Sequence, residues 1–545
     1  MSAPAARIDA SPSRARTASP RVSVVVPVYN PGPGLDDLIA SLDRQTLGTD
    51  RLEVLLCDDG SDQDTRDRLR RIASSRPHVH VLELERTGWP GTPRNHGIDA
   101  AAGEYVFFAD QDDRVFDNGL RDMAAFADAH RSDVVVGKVV GVGRAIPGAI
   151  FRRDIPSAVL GRDPLLELLT PHKLFRTSFI RDNGIRFPDG RVRLEDHQFV
   201  MQAYFAAETI SILASRPCYA WLKNAGSASS SRIDPDTYFP HLERVLEIVE
   251  RNTEPGPLRD TLLTHWYRGK ILKRLDARRL LRYPENYRAR FLDAVEPLVR
   301  RWFSADVDAG LPFPLRVRSA LLRAGRREDL VRLAEFESGL RCRAEVRSAR
   351  WRRDGALEVT LDATILHRGE SAPVLPGDDG SSPTWRPPAD LGIADLGEGT
   401  LDATRDLRAD RVQLHLRAGR QERRMPGRAA RRLAGAKVVV EPLSVFPWRD
   451  PSDGGRITAH VRHAGWELSG PLRADPSVIE RIGRAPWLAG RRCRLVVLDD
   501  GEVALRRDFP AGRTRDVAAR VVRRIRARLR DARRRVRRAG EARSR

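Results

Sequence analysis

Three carboxylates, Asp110, Asp112 and Asp113, fall within four positions at the end of a short apolar run, Tyr105 to Ala109. Packing gives no reason to end a buried strand on clustered negative charge. Neighbouring carboxylates repel and raise each other's pKa unless a cation sits among them. A hard divalent ion suits them, because Mg²⁺ is usually held by one or two carboxylates together with substrate phosphates. On this segment alone an Asp-rich exit from strand to loop is the competing reading. Two more polar clusters close apolar runs: Tyr29-Asn30 after Val22, and Asp58-Asp59 after Glu53. Downstream, Glu195-Asp196 opens a helical pattern, where the helix dipole by itself favours acidic residues.

The elements that position these groups follow from periodicity. Arg21–Tyr29, Glu53–Cys57, Val79–Leu84 and Tyr105–Ala109 read as buried strands. Leu35, Leu38, Ile39 and Leu42 lie on one helical face, and helices are expected from Asp64 to Ser74 and from loop Thr92 to Ala102. Strands alternating with helices at this spacing indicate an α/β domain with a largely parallel sheet, whose ligands bind beyond the carboxyl ends of the strands. All three clusters fall there. Val134–Val142 adds a strand, Leu165–Phe179 a helix or strand segment broken at Pro171, and Leu194–Ala206 a helix with Glu195 and Asp196 in its first turn.

V-S-V-V-V-P-V-Y-N at Val22–Asn30, C-D-D-G-S-D at Cys57–Asp62, P-R-N-H-G-I at Pro93–Ile98 and F-A-D-Q-D-D at Phe108–Asp113 occur in order. Together they resemble the nucleotide-sugar domain of inverting family 2 glycosyltransferases with the GT-A fold, over about residues 20–240. The resemblance implies that Pro27 and Tyr29 hold the uracil ring, with Tyr29 offering a flat face, and that Asn30 lies beside it. It implies that Asp59 bonds the base or ribose while Asp58 supports the turn. Arg94 would pair with the pyrophosphate, since a guanidinium suits phosphate geometry; a solvated arginine is the alternative. Asp110 and Asp112 match the DXD motif, Asp112 ligating Mn²⁺ or Mg²⁺ and Asp110 binding ribose or sugar hydroxyls. Asp196 would be the general base, with Glu195 orienting it or touching the sugar. His172 and Lys173 are expected to line the donor or acceptor cleft, and His197 to be a packed or bridging histidine. Later segments, K-L-F-R-T-S-F, R-L-E-D-H, P-C-Y-A-W at Pro217–Trp221 and D-P-D-T-Y-F at Asp234–Phe239, resemble wall-teichoic-acid glycosyltransferases. That implies transfer from a UDP-sugar, UDP-GlcNAc favoured, to a polyol-phosphate polymer. A capsular glycan or glycolipid acceptor, or a non-catalytic protein that only binds nucleotide sugar or polymer, stays open.

The chain has 545 residues, which suggests about three domains. We expect a disordered leader (1–20), a GT-A domain (21–235), a helical linker region (236–338), β-sandwich modules (339–510) and an Arg-rich tail (511–545). The modules are read from two-residue alternation at 357–365, 412–416, 457–461 and 493–497. Four scattered cysteines argue against a disulfide framework and a cysteine-based zinc site. The leader lacks the apolar core of a secretory signal and no run is long enough to span a membrane, so a cytoplasmic protein is expected. The net charge of +21 is unevenly placed: fifteen arginines against three carboxylates from Arg513 onward put more than half of it in the tail. Val517, Val521, Ile525, Leu529 and Val536 make that tail a basic amphipathic helix, fitted to anionic lipid, to the polyanionic acceptor, or to oligomerisation. Nucleic acid is the other class of partner for such an array, but the body holds no recognisable nucleic-acid module.

Overall fold

The computed structural model describes residues 7–8, 19–223, 232–372, 374–375, 383–419, 421–442, 454–487 and 492–508. The expected tail helix lies outside them. The chain forms two compact units, one of residues 1–271 with 283–310, the other of residues 272–282 with 311–545. Residues of the expected helical linker region, 236–338, occur in both units.

The first unit is built on a nine-stranded sheet: β1 (Arg7–Ile8), β2 (Val22–Val28), β3 (Leu52–Asp58), β4 (Val79–Glu83), β5 (Tyr105–Phe108), β6 (Arg114–Val115), β7 (Val134–Val142), β8 (Leu174–Arg176) and β9 (Ile210–Leu222). Their spatial order is 1-4-3-2-5-8-7-9-6. Strands β4, β3, β2 and β5 are mutually parallel, and β8 inserts antiparallel between β5 and β7. Every residue of β3 and of β5 is buried, as expected of strands covered on both faces. Arg7–Ile8 pairs antiparallel with β4; the rest of the expected leader up to residue 18 lies outside the described residues.

Helices α1 (Gly34–Asp43), α2 (Gln63–Ser74), α3 (Gly91–Ala100), α4 (Gly119–His130), α5 (Thr177–Asp182) and α6 (Glu195–Ala206) flank the sheet strands in sequence. Asp62 caps α2 by accepting from the Thr65 N–H. Glycine sets the seat of α3: a Cβ on Gly97 would lie 2.3 Å from Val25 Cγ1, so only glycine lets this helix approach β2 so closely. Pro27 sits in the middle of the sheet yet costs no ladder bond with β5, whose pairing with β2 ends at Val25. Helices α7 (Pro235–Arg251) and α8 (Pro257–Trp266), with Glu285–Trp302, complete the unit; α7 packs on α6. No helix among the described residues is long and apolar enough to cross a membrane.

The second unit contains an eleven-stranded sheet. The four alternating segments read from the sequence are its strands Leu357–His367, Arg411–Ala418, Gly454–His463 and Arg492–Val497. Alternation reports burial directly: Val412, Leu414 and Leu416 are inside while Arg411 and Arg417 face out.

Candidate active site

The expected residues gather at the carboxyl edge of β2, β3 and β5. Asn30 adopts a left-handed backbone (φ 40°) and knits two of these edges together. Its N–H donates to Ser61 Oγ at 3.0 Å and its side-chain oxygen accepts from the Asp62 N–H at 3.0 Å. Gln111 exchanges two hydrogen bonds with the Tyr29 backbone, at 2.9 and 3.3 Å, tying the first cluster to the third. Tyr29 is 37% exposed, and the Arg86 guanidinium lies 4.2 Å from its ring centroid.

Asp58 supports its turn as expected, accepting from the Ser61 N–H at 3.1 Å. Asp59, expected to bond the base or ribose, holds a neighbouring loop. It is buried, its Oδ1 accepts from Thr87 N–H and Oγ1 at 2.7 and 2.6 Å, and its Oδ2 from the Gly88 N–H at 2.8 Å. Its first task is holding the loop after β4, a long-range contact that the sequence does not signal.

Arg94, only 4% exposed, is the centre of the edge. Its Nη2 donates to Asp110 Oδ1 at 2.9 Å and its Nη1 to Glu195 Oε1 at 3.4 Å. Its buried Nε–H has no hydrogen-bond partner among the described residues, a donor left over for an anionic ligand. Arg94 thus joins the carboxylates after β5 to the acidic start of α6. That start is itself unusual, because Leu194 precedes the helix in a left-handed conformation (φ 60°), the kind of local strain that clusters at functional sites.

Asp196 is partly exposed and accepts from the His197 N–H at 2.8 Å. Burial, then the charge of Glu195, pushes its carboxyl up to about 7, against the pull of Lys270. A carboxylate poised there is suited to general-base work near neutrality. His197 proves to be a packed histidine: its Nδ1 accepts from Trp266 Nε1–H at 3.1 Å, and burial holds it neutral. Lys173 is fully buried; it donates to the Leu168 and Thr170 carbonyls, and burial lowers its pKa to about 7.

Behind Asp110 stands a cluster that joins Asp113 and His172 through Tyr219, a residue the sequence offers no reason to pick. Tyr219 Oη accepts from the Asp110 N–H at 3.0 Å and donates to Asp113 Oδ2 at 2.7 Å, while the Leu222 N–H donates to Asp113 Oδ1 at 2.7 Å. His172 stacks on the Tyr219 ring at 4.5 Å and places Nε2 3.5 Å from Asp110 Oδ2. Burial brings the His172 imidazole down to about 4, so it is neutral at pH 7; burial, then Asp110, pushes Asp113 up to about 8. Burial opposes the ionised form of Asp110 too, but His172, protonated in the acid range where Asp110 titrates, and Arg94 outweigh it and hold that carboxyl below the usual range. Ligand atoms of Asp110, Asp113 and His172 all lie within 4.8 Å of one another. Two carboxylates and a neutral imidazole fit a divalent ion in donor chemistry. Asp113 already has a donor on each oxygen, so Asp110, 34% exposed, is the better-presented of the two. Asp112, the expected metal ligand, is partly exposed at the same turn.

A parallel-stranded sheet whose carboxyl edge carries these acidic clusters around one buried arginine is a GT-A-like glycosyltransferase fold, here followed by a helical linker and an additional sheet domain. Residues 23–187 match the family model of glycosyl transferase family 2, and residues 235–334 match that of the glycosyl transferase TarS linker domain. Among curated proteins, the poly(ribitol-phosphate) β-N-acetylglucosaminyltransferase TarS of Staphylococcus aureus is 34% identical over 238 residues, 43% of this chain and 41% of that protein. The poly(ribitol-phosphate) β-glucosyltransferase of Bacillus spizizenii is 32% identical over 42% of this chain and 37% of that protein. The chain thus spans about two fifths of the length of these relatives. The crystal structure of S. aureus TarS residues 1–349 in complex with UDP-GlcNAc aligns over 62% of this chain and 96% of that one, with 27% identity and a TM-score of 0.54.

Proposed function

We propose that this chain is an inverting glycosyltransferase that moves a sugar, GlcNAc favoured, from its UDP donor to a hydroxyl of an anionic polyol-phosphate polymer of the cell envelope. The observation that carries the reading is Arg94, which draws the D-Q-D-D turn and the Glu195-Asp196 pair together at the edge where nucleotide sugars bind in such sheets. The TarS fragment with UDP-GlcNAc and the poly(ribitol-phosphate) relatives support the donor and acceptor classes.

In this reading Tyr29 and Pro27 take the base, with Asn30 and Asp59 holding the loops around it. Arg94 offers its unpaired Nε–H and its charge to the pyrophosphate. Asp196 removes the proton from the acceptor hydroxyl as that oxygen bonds to the anomeric carbon; the bond to UDP breaks on the opposite face, and the configuration inverts. Glu195, held by Arg94, keeps Asp196 oriented and its pKa high. Asp112 and Asp110, with His172 and Asp113 behind them, would hold Mn²⁺ or Mg²⁺. Such an ion, when bound, neutralises charge on the departing diphosphate. We further read the second unit as a β-sandwich module. The basic tail is read as a peripheral contact to anionic lipid at the inner membrane face or to the acceptor, with self-association as the other use of its apolar stripe.

The test is UDP release with Mn²⁺ over a panel of UDP-sugars, without acceptor and then with a polyol-phosphate polymer. Release that rises with polymer for one donor is the expected result. Binding of UDP with no turnover of any donor would leave a nucleotide-sugar-binding protein instead.

A further inference from the structure

The outward face of the second unit carries a group of side chains that glycosyl transfer does not use. His415 lies on Arg411–Ala418, Glu422 on the edge strand Gln421–Arg424, and His460 on Gly454–His463, three neighbouring antiparallel strands. Register explains why they meet. Gln413 pairs with His460 and Arg417 with Glu422, so His415, two positions from each of those partners, shares their face and sits diagonally from both. The opposite face is the apolar one, with Leu414, Leu416, Ile457 and Ala459 buried. Solvent-facing positions of a sheet are usually filled by solvated side chains. Here the two imidazoles stack at 3.7 Å with a 15° interplanar angle, and His460 Nε2 lies 3.1 Å from Glu422 Oε1. Thr458, itself buried, donates its hydroxyl to the same carboxylate and fixes its direction.

We propose that His415, His460 and Glu422 form a binding site for a borderline divalent metal of the Zn²⁺ class, separate from the acidic edge of the first unit. One ligand atom from each residue lies within 4.8 Å of the other two. A tetrahedral zinc shell with bonds of 2.0–2.1 Å sets its ligands roughly 3.3 Å apart. From the present spacing, closing the site requires the imidazoles to turn out of their stack. The metal takes the lone pair of the His460 nitrogen that faces Glu422, in the neutral tautomer whose single N–H is on the other ring nitrogen.

The donor set decides the metal. Two imidazoles and one carboxylate suit zinc, whereas magnesium and calcium require more oxygen ligands. Three protein ligands leave a fourth position for water. Bound there, the metal ties the edge strand to the third strand inward, a clip on the most easily frayed margin of the sheet.

The test uses the full chain without a histidine tag, in excess Mg²⁺ to fill weak oxygen sites. Zinc bound per chain is counted by equilibrium dialysis, and melting is followed with rising Zn²⁺. The expected result is one fewer zinc per chain in H415Q/H460Q than in the parent, with the zinc-dependent rise in Tm lost. Equal zinc uptake by the two proteins overturns the proposal. Should the double variant fail to fold without metal, E422Q decides. A loss of zinc affinity beyond the 10–100-fold typical of outer-sphere changes supports the site, and unchanged affinity rejects it. UDP-sugar turnover does not enter either readout, so the outcome is independent of the proposed catalytic activity.

Discussion

Arg94 and Glu195, 101 positions apart in the chain, meet at 3.4 Å, and the other arm of the same guanidinium reaches Asp110 at 2.9 Å. Two acidic motifs that would repel one another share one buried cation. Arg94→Ala leaves both carboxylates without it. Losing one partner of a fully buried pair costs 3–5 kcal/mol, and because Asp110 is 34% exposed we expect about 2 kcal/mol here. Arg94→Lys keeps the charge but not the two-armed fork, so it should retain most of the stability and still lose at least about tenfold in UDP release. Thermal melts beside turnover separate the two effects, and an R94A protein as stable and active as the parent would show that the bridge does nothing.

The base assignment carries a pH signature. Asp196 acts as a carboxylate, and its pKa is raised to about 7. The pH profile of kcat/KM should therefore climb with unit slope below about pH 7 and level off above it. Asp196→Asn should lower turnover by about 10²–10⁴ while leaving UDP binding intact by calorimetry. Linkage gives an independent check. A carboxyl whose folded pKa is raised stabilises the fold below its unfolded pKa, near 4, and that contribution falls as pH climbs through about 7. The N variant cannot ionise, so relative to the parent it should gain in Tm between pH 5 and 8. A profile flat from pH 5 to 8 would remove Asp196 from the role.

Metal dependence can be apportioned among the acidic residues. Chelation should abolish turnover, and added Mn²⁺ should restore it. Asp112→Asn is expected to raise the Mn²⁺ needed for half-maximal rate by more than about tenfold, as loss of a ligand costs more than loss of its outer partner. His172→Asn, which removes an imidazole 3.5 Å from Asp110, should raise it as well. If D112N leaves the Mn²⁺ requirement unchanged while H172N raises it, the ion sits on the inner cluster of Asp110, Asp113 and His172 instead.

Periodicity made the first sheet readable. Expected strands at Arg21–Tyr29, Glu53–Cys57 and Tyr105–Ala109 differ from β2, β3 and β5 only at their ends, and α6 begins one residue later than read. These elements are long or wholly apolar, so local pattern and tertiary burial agree. What escaped was non-local. Strand β8 is three residues inside a segment broken by Pro171 and gains its place only by pairing with β5 and β7. The loop contacts of Asp59 with Thr87 and Gly88 were not legible, because those partners carry no motif. Asp113 reads as one of three clustered carboxylates at the turn, but that Tyr219, 106 positions later, holds it buried carries no local signal. The helical stretch after residue 235 was legible as helix, but which unit each helix joins depends on contacts that periodicity does not encode.

The base-binding surface gives the last prediction. Tyr29 offers the expected flat face, but in the unliganded chain Arg86 lies over it at 4.2 Å. A base stacked on that face must displace the guanidinium, forfeiting a cation–π contact of about 0.5–1 kcal/mol at an exposed ring. Stacking a base on an aromatic side chain returns about 1–3 kcal/mol, so the exchange favours the nucleotide. Tyr29→Ala should accordingly weaken UDP binding by about tenfold. Arg86→Ala, which uncovers the ring, should leave affinity equal or slightly improved, unless the guanidinium moves on to the diphosphate. Calorimetry with uridine and with UDP tells these apart. If R86A weakens UDP but not uridine, Arg86 is a phosphate ligand that only rests on Tyr29; if it weakens neither, Arg86 merely covers the ring. If Y29A binds uridine as well as the parent does, the base lies elsewhere on the edge.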